Sequence, residues 1–162
     1  TSTSSSCCRP IVSWVTSSSG LYPWLGITRT GLSPANNIFH GWDGALSPVS
    51  TSPGDVIITS ATHDGTNSLW NAFSFGLQRV TNYAIPGSYT TTTDFSVGGD
   101  TSNAARRLSG EIREVIVVES VLSTTVRQNL EGYLACKYDA RDTLDSGHPY
   151  YNATPTDDSG CP

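Results

Sequence analysis

Few residues in this 162-residue sequence have both the type and the neighbours to do chemistry. Glu111 and Glu114, in the run Glu111-Ile112-Arg113-Glu114, are the candidate carboxylate pair. Glycoside hydrolysis needs two carboxyl groups about 5–9.5 Å apart across one sugar. On a strand such groups must share a face, hence an even spacing. These two are three apart, face opposite ways, and enclose an arginine. The histidines are His40, His63 and His148. His40 lies near Asp43 and His63 beside Asp64, as expected of turn neighbours. No G-x-S-x-G elbow supplies a nucleophile to either. His148-Pro149-Tyr150 reads as structural: the proline fixes the chain and the tyrosine packs it down. The sequence therefore predicts a protein without catalytic residues.

Binding chemistry has more material. A sugar site needs an exposed aromatic face with planar polar groups beside it. Trp42-Asp43 is the best such pair, with Tyr22, Trp24, Trp70 and Asn71 as weaker candidates. Each tryptophan also suits a core position with its indole N–H satisfied. Calcium is the candidate cofactor, because a hard cation takes several carboxylate and carbonyl oxygens. Asp43, Asp64, Asn67, Asp94 and Asp100 all fall on predicted loops. None forms a D-x-D-x-D run, and each also suits an Asx turn.

Cys7, Cys8, Cys136 and Cys161 have no zinc or redox spacing. Their even number predicts disulfides and an oxidising compartment. An adjacent pair closes a strained ring, so Cys7 and Cys8 are each expected to bond one of Cys136 and Cys161. Asn152-Ala153-Thr154 is a glycosylation sequon, although the following Pro155 opposes the turn an acceptor needs. The runs Ser17 to Ser19 and Thr90 to Thr93 could carry O-linked sugars. Without an initiator Met or a signal peptide, the chain reads as a mature or excised piece.

The elements that must position these residues are short. Charged residues make up 14% and hydrophobic ones 36%, while 23 Ser and 20 Thr fill the difference. That composition opposes a coiled coil or helical bundle. No apolar run reaches the ~18 residues of a membrane span. A net charge of -5 with nine scattered basic residues opposes nucleic acid. Alternation and turn signals predict strands at Ile11 to Val15, Trp24 to Thr30, Asn37 to Trp42, Asp55 to Thr62 and Phe95 to Val97. Leu69 to Phe75 and Leu77 to Tyr83 form a predicted hairpin across Gly76. Gly110 to Glu119 is apolar on both faces at its centre and predicts a central strand. Ser123 predicts the N-cap of a helix over Thr124 to Tyr138. Its expected apolar stripe is Val126, Leu130, Tyr133, Leu134 and Lys137 or Tyr138, with Arg127, Gln128 and Glu131 elsewhere.

The run LSGEIREVIVVESVLSTTVRQNLEGYLACKYD, followed by LDSGHPY, resembles the concanavalin A-like lectin/glucanase superfamily. It is most similar to the laminin-G-like and pentraxin-like modules. The shared features are the G-x-I-x-E-apolar strand at Gly110 to Val118, the E-G-Y-L-A-x-K helix at Glu131 to Lys137, and the S-x-H-P-Y tail at Ser146 to Tyr150. Ala61 to Thr66 and Phe95 to Gly99 resemble earlier strands. The likeness covers about residues 11–151 and is specific in its last third.

The resemblance implies an all-β, antiparallel two-sheet jelly-roll β-sandwich with one short C-terminal helix. It also implies that strands are missing at the N-terminal end. Glucanase members carry an acid where Arg113 stands, so the glucanase dyad is absent here. The expected organisation is a polar, disulfide-linked lead-in over 1–10, the sandwich over 11–151 and an extended tail over 152–162. The expected role is non-catalytic recognition of a glycan or a protein at an extracellular or virion or cell surface. The alternative is a structural subunit of a filament, shell or surface layer, its sandwich completed by a neighbouring chain. Either way the expected partners are glycans or protein chains, homo-oligomers included, with neither nucleic acid nor membrane insertion.

Overall fold

The computed structural model describes residues 8–15, 24–28, 37–40, 46–50, 52, 54–67, 69–84, 94–99 and 107–151. Their strands, in chain order, are β1 (Cys8–Val15), β2 (Trp24–Thr28), β3 (Asn37–His40), β4 (Leu46–Ser50), β5 (Thr59–Asp64), β6 (Leu69–Ser74), β7 (Leu77–Ala84) and β8 (Asp94–Val97). Helix α1 (Thr124–Lys137) and a 3-10 turn at Arg141–Thr143 follow. The strands form two antiparallel sheets, ordered β4-β3-β2-β1-β8 and β5-β6-β7.

In the first sheet, β1 pairs with β2 on one side and β8 on the other. The β1–β2 register shifts between Pro10 and Val12. A proline has no N–H for the ladder, and a bulge is where a paired strand tolerates one. Val12 and Ser13 are buried. The Ser13 and Ser96 hydroxyls lie 2.7 Å apart and both reach the Gly99 carbonyl oxygen, at 3.0 and 2.8 Å. A small polar cluster thus closes the β1–β8 end. Strand β4 has no counterpart among the predicted strands.

The second sheet is a meander. Phe75 (φ 56) and Gly76 (φ 79) join β6 to β7. Two successive positive φ values make the two-residue hairpin turn whose twist matches the strands. Register places Ala61 opposite Ala72 and His63 opposite Trp70, hence on one face; Ser60 opposite Phe73 is on the other. Trp70 and Ala72 pack with Ala61, Val80 and Tyr83 on the first face. Strand β5 starts at Thr59, later than expected: of residues 55–58 only Ile58 bonds across, its carbonyl oxygen accepting the Phe75 N–H at 2.8 Å. Ile58 also joins a second core with Ala135, Ala140 and Leu144.

Helix α1 begins where its cap predicts. The Ser123 hydroxyl accepts the Val126 N–H at 3.4 Å. Its buried face corrects the expected stripe. Arg127, Glu131, Gly132 and Ala135 are buried, while Val126 is 45% exposed. The burial of two charges is possible because they satisfy each other, as set out below.

Gly110 to Glu119 is a second correction. Residues 111–118 belong to neither sheet. No backbone group of 111–118 pairs with another backbone group among the described residues. Val115, Ile116, Val117 and Val118 are 36%, 41%, 62% and 45% exposed, and Val121 is 55% exposed. The most strand-like segment of the sequence therefore lies outside the sheets it was expected to centre.

Candidate functional site

Among the described residues, two places concentrate side-chain chemistry. The first is a buried polar cluster between β5, α1 and the chain after α1. Arg127 and Glu131 are one helical turn apart, so their side chains meet. Arg127 Nη1 donates to Glu131 Oε1 at 2.7 Å and Oε2 at 2.6 Å. The Arg127 guanidinium also lies over the Phe73 ring, 3.8 Å from its centroid. The Ser60 hydroxyl donates to Glu131 Oε1 at 2.5 Å. His148 Nε2 stands 3.2 Å from Glu131 Oε2. The Tyr150 N–H donates to His148 Nδ1 at 3.3 Å. With Nδ1 accepting, the neutral ring carries its proton on Nε2 and donates it to the carboxylate.

Burial drives the His148 pKa below its ordinary value of 6.5, against the opposing pull of Glu131. A hydroxyl, a carboxylate and an imidazole are thus together, but not in catalytic order. Nucleophilic catalysis needs the hydroxyl against the imidazole. Here both point at the carboxylate, and the His148 side chain is 0% exposed. The cluster is a latch that ties three segments together.

Glycines let that latch close. A Cβ on Gly76 would collide with the His148 ring, and one on Gly132 with the Tyr150 ring. The Tyr150 hydroxyl reaches Asn129 Oδ1 at 3.0 Å. The structure thus agrees with the expected packing of His148-Pro149-Tyr150 onto the body. Sequence reading missed that Arg127 and Glu131 face inward. Their i,i+4 spacing, with Gly132 and Ala135 alongside, was the available signal.

The second place is the segment entering α1. Its start is anchored to the helix end. Glu114 Oε2 accepts from Lys137 Nζ and the Tyr138 hydroxyl, each at 3.0 Å. Lys137 also donates to the Tyr133 hydroxyl at 2.8 Å. These bonds, that to Lys137 foremost, hold the Glu114 carboxyl below its usual range. The bond to Tyr133 and then Glu114 push Lys137 upward. Glu114 is thus committed to the helix, while Glu111 is a surface group 3.6 Å from Arg113. Beyond Glu114 the chain presents its row of exposed aliphatic side chains.

The remaining candidates divide. Trp70 is only 4% exposed, so it is a core residue and offers no sugar platform; its Nε1 has no partner among the described residues. Asn71 Oδ1 accepts from Gln78 Nε2 and the Asn82 N–H, at 3.0 and 2.9 Å, bracing β6 against β7. Asp64 and Asn67 come together as a turn. Asp64 Oδ1 accepts the Thr66 and Asn67 N–H groups, and Oδ2 accepts Asn67 Nδ2 at 2.7 Å. Those bonds hold the Asp64 carboxyl below its usual range.

Among the described residues no three acidic, His or Cys side chains converge as a metal site. Trp42, Asp43, Tyr22, Asp100, Asn152, Cys7 and Cys161 lie outside the described residues. So do the side chains of Trp24, Asp94 and Cys8, whose backbones are in β2, β8 and β1. Cys136 is disulfide-bonded. Among the described residues no helix is long and apolar enough to cross a membrane. Comparison of the chain with protein-family models, with curated proteins and with solved structures finds no match.

Proposed function

We propose that this chain is a non-catalytic β-sheet module that associates with protein chains at an extracellular or virion surface. In this reading its two sheets are the layers of a lectin-like jelly roll, and the module is a building block of a larger assembly. One observation carries the choice of a protein partner over a glycan: segment 114–118, which makes no backbone–backbone hydrogen bond among the described residues, exposes the aliphatic side chains of Val115 to Val118. Aliphatic side chains and open backbone N–H and C=O groups suit strand addition, in which main-chain bonds give affinity and alternate side chains give specificity. Sugars instead need aromatic faces, and the candidate ring whose side chain is described, Trp70, is buried. The bonded Cys136 and the low charge content accord with an oxidising, surface-exposed setting.

Light scattering of the purified chain, alongside a glycan array, tests the reading. It expects association under native conditions that Val117→Lys abolishes, with no sugar retained. Sugar binding by a monodisperse monomer would overturn it.

A further inference from the structure

Segment 111–119 reads Glu-Ile-Arg-Glu-Val-Ile-Val-Val-Glu. Arg113 is its single basic residue, placed near one end, and Glu119 is the acid at the other. Arg113 lies 3.6 Å from Glu111 and keeps 44% of its side chain exposed. Glu119 is exposed and makes no ion pair among the described residues. In an extended strand Arg113, Val115, Val117 and Glu119 share one face. That face reads positive, apolar, apolar, negative. Turned end for end, it is its own complement.

We propose that residues 113–119 pair antiparallel with the same residues of a second copy of this chain, placing Ile116 opposite Ile116 across a two-fold axis. In that register Arg113 faces Glu119 at both ends, and Val115 faces Val117 in between. Slipping by one residue one way sets Glu114 against Glu119. Slipping the other way sets Arg113 against Val118 and Glu114 against Val117. Opposite charges directly across a pair favour a register, and like charges oppose it. A self-complementary patch on a two-fold axis also closes at the dimer, without running on into a filament. The anchor of Glu114 on Lys137 and Tyr138 holds the start of the segment against α1. Val115 to Val118 are left to the partner. This inference rests on the protein-association reading above and deepens it by naming the partner and the register.

Charge exchange tests it, read by sedimentation over a concentration series. The wild-type chain is expected to show a monomer–dimer equilibrium. Arg113→Glu places four glutamates at the two ends, and Glu119→Arg places four arginines there. Each alone is expected to weaken dimerisation about tenfold, two cross-strand pairs turning from attraction to repulsion. An equimolar mixture of the two variants re-creates both pairs and is expected to recover wild-type affinity as a heterodimer. That recovery also shows that the variants are folded. A chain that stays monomeric at every concentration overturns the proposal. Association that Val117→Lys abolishes, but that the charge mixture does not restore, overturns the self-pairing register and leaves the protein-association reading standing. Association indifferent to Val117→Lys overturns both.

Discussion

Helix α1 and the segment leading into it distribute their residues in opposite ways. In the helix, the arginine and glutamate at 127 and 131 have side chains only 9% and 3% exposed. In the segment, Val117 is 62% exposed and Val121 55%. Hydrophobicity alone would assign these surroundings the other way round. The difference lies in what each group finds nearby. The buried ions have a bidentate partner, a serine hydroxyl, an imidazole and an aromatic face. The valines have neither an opposing layer nor a neighbouring strand among the described residues. Burial follows completed partnerships, so the helix region is closed while the segment remains open.

Removing the acid at the centre of the latch would break that contrast hardest. Glu131→Ala leaves Arg127 buried without its counter-ion and the His148 Nε2–H without its acceptor. Urea denaturation is expected to show a loss of about 3–5 kcal/mol, the cost of breaking one partner out of a buried pair. Cutting the apolar floor comes next. Leu144 is 3% exposed and packs with Ile58, Ala135 and Ala140. Leu144→Ala is expected to cost about 2–4 kcal/mol in the same assay, part transfer and part cavity.

A smaller effect is expected from pH. His148 is ringed by Glu131 and Arg127 from α1 and by Asp145 from its own segment, and its pKa lies below 6.5 when folded. The unfolded chain then binds more protons as pH falls through 6.5, so stability present at neutral pH is lost toward the folded-state pKa. The melting temperature should fall on acidification across that window, and His148→Gln should flatten this part of the profile. A rising profile would show that Glu131 holds the ring charged. The smallest effect belongs to the open segment. Val117→Ser should change monomer stability by less than ~0.5 kcal/mol, as at an exposed site. A loss of several kcal/mol in dilute, monomeric protein would show the segment to be covered, and the contrast would disappear.

Much of the fold was legible because local signals agreed with it. Gly76 marked a tight turn between two apolar runs, and β6 and β7 lie on either side of it, although Phe75, expected to end the strand, belongs to the turn. Ser123 capped the helix as expected. The S-x-H-P-Y tail packed inward. Strand β4 escaped because Leu46-Ser47-Pro48-Val49-Ser50 carries a proline and little apolar content, and its pairing with β3 comes from tertiary context. The inward face of α1 escaped because periodicity arguments count apolar residues and give buried ion pairs no weight. Segment 111–118 was misplaced for the reverse reason. Its alternation reports what the residues require on both sides, while whether a neighbour meets that requirement is a property of the assembled sheet.

The latch also sets a timetable for synthesis. Ser60 and its carboxylate partner Glu131 are 71 residues apart in the chain. The β5–β7 meander ends at Ala84, so at the usual pace of translation, roughly 5–20 residues per second, it waits about 2–9 s before the glutamate that closes over it has been made. The imidazole that completes the set emerges later still. Long-range closure of this kind slows folding, since chain entropy must be given up before the contact forms. During that interval the Phe73 face of the meander is uncovered, and a nascent chain is most exposed to capture by a chaperone, or by another ribosome's product, at that stage.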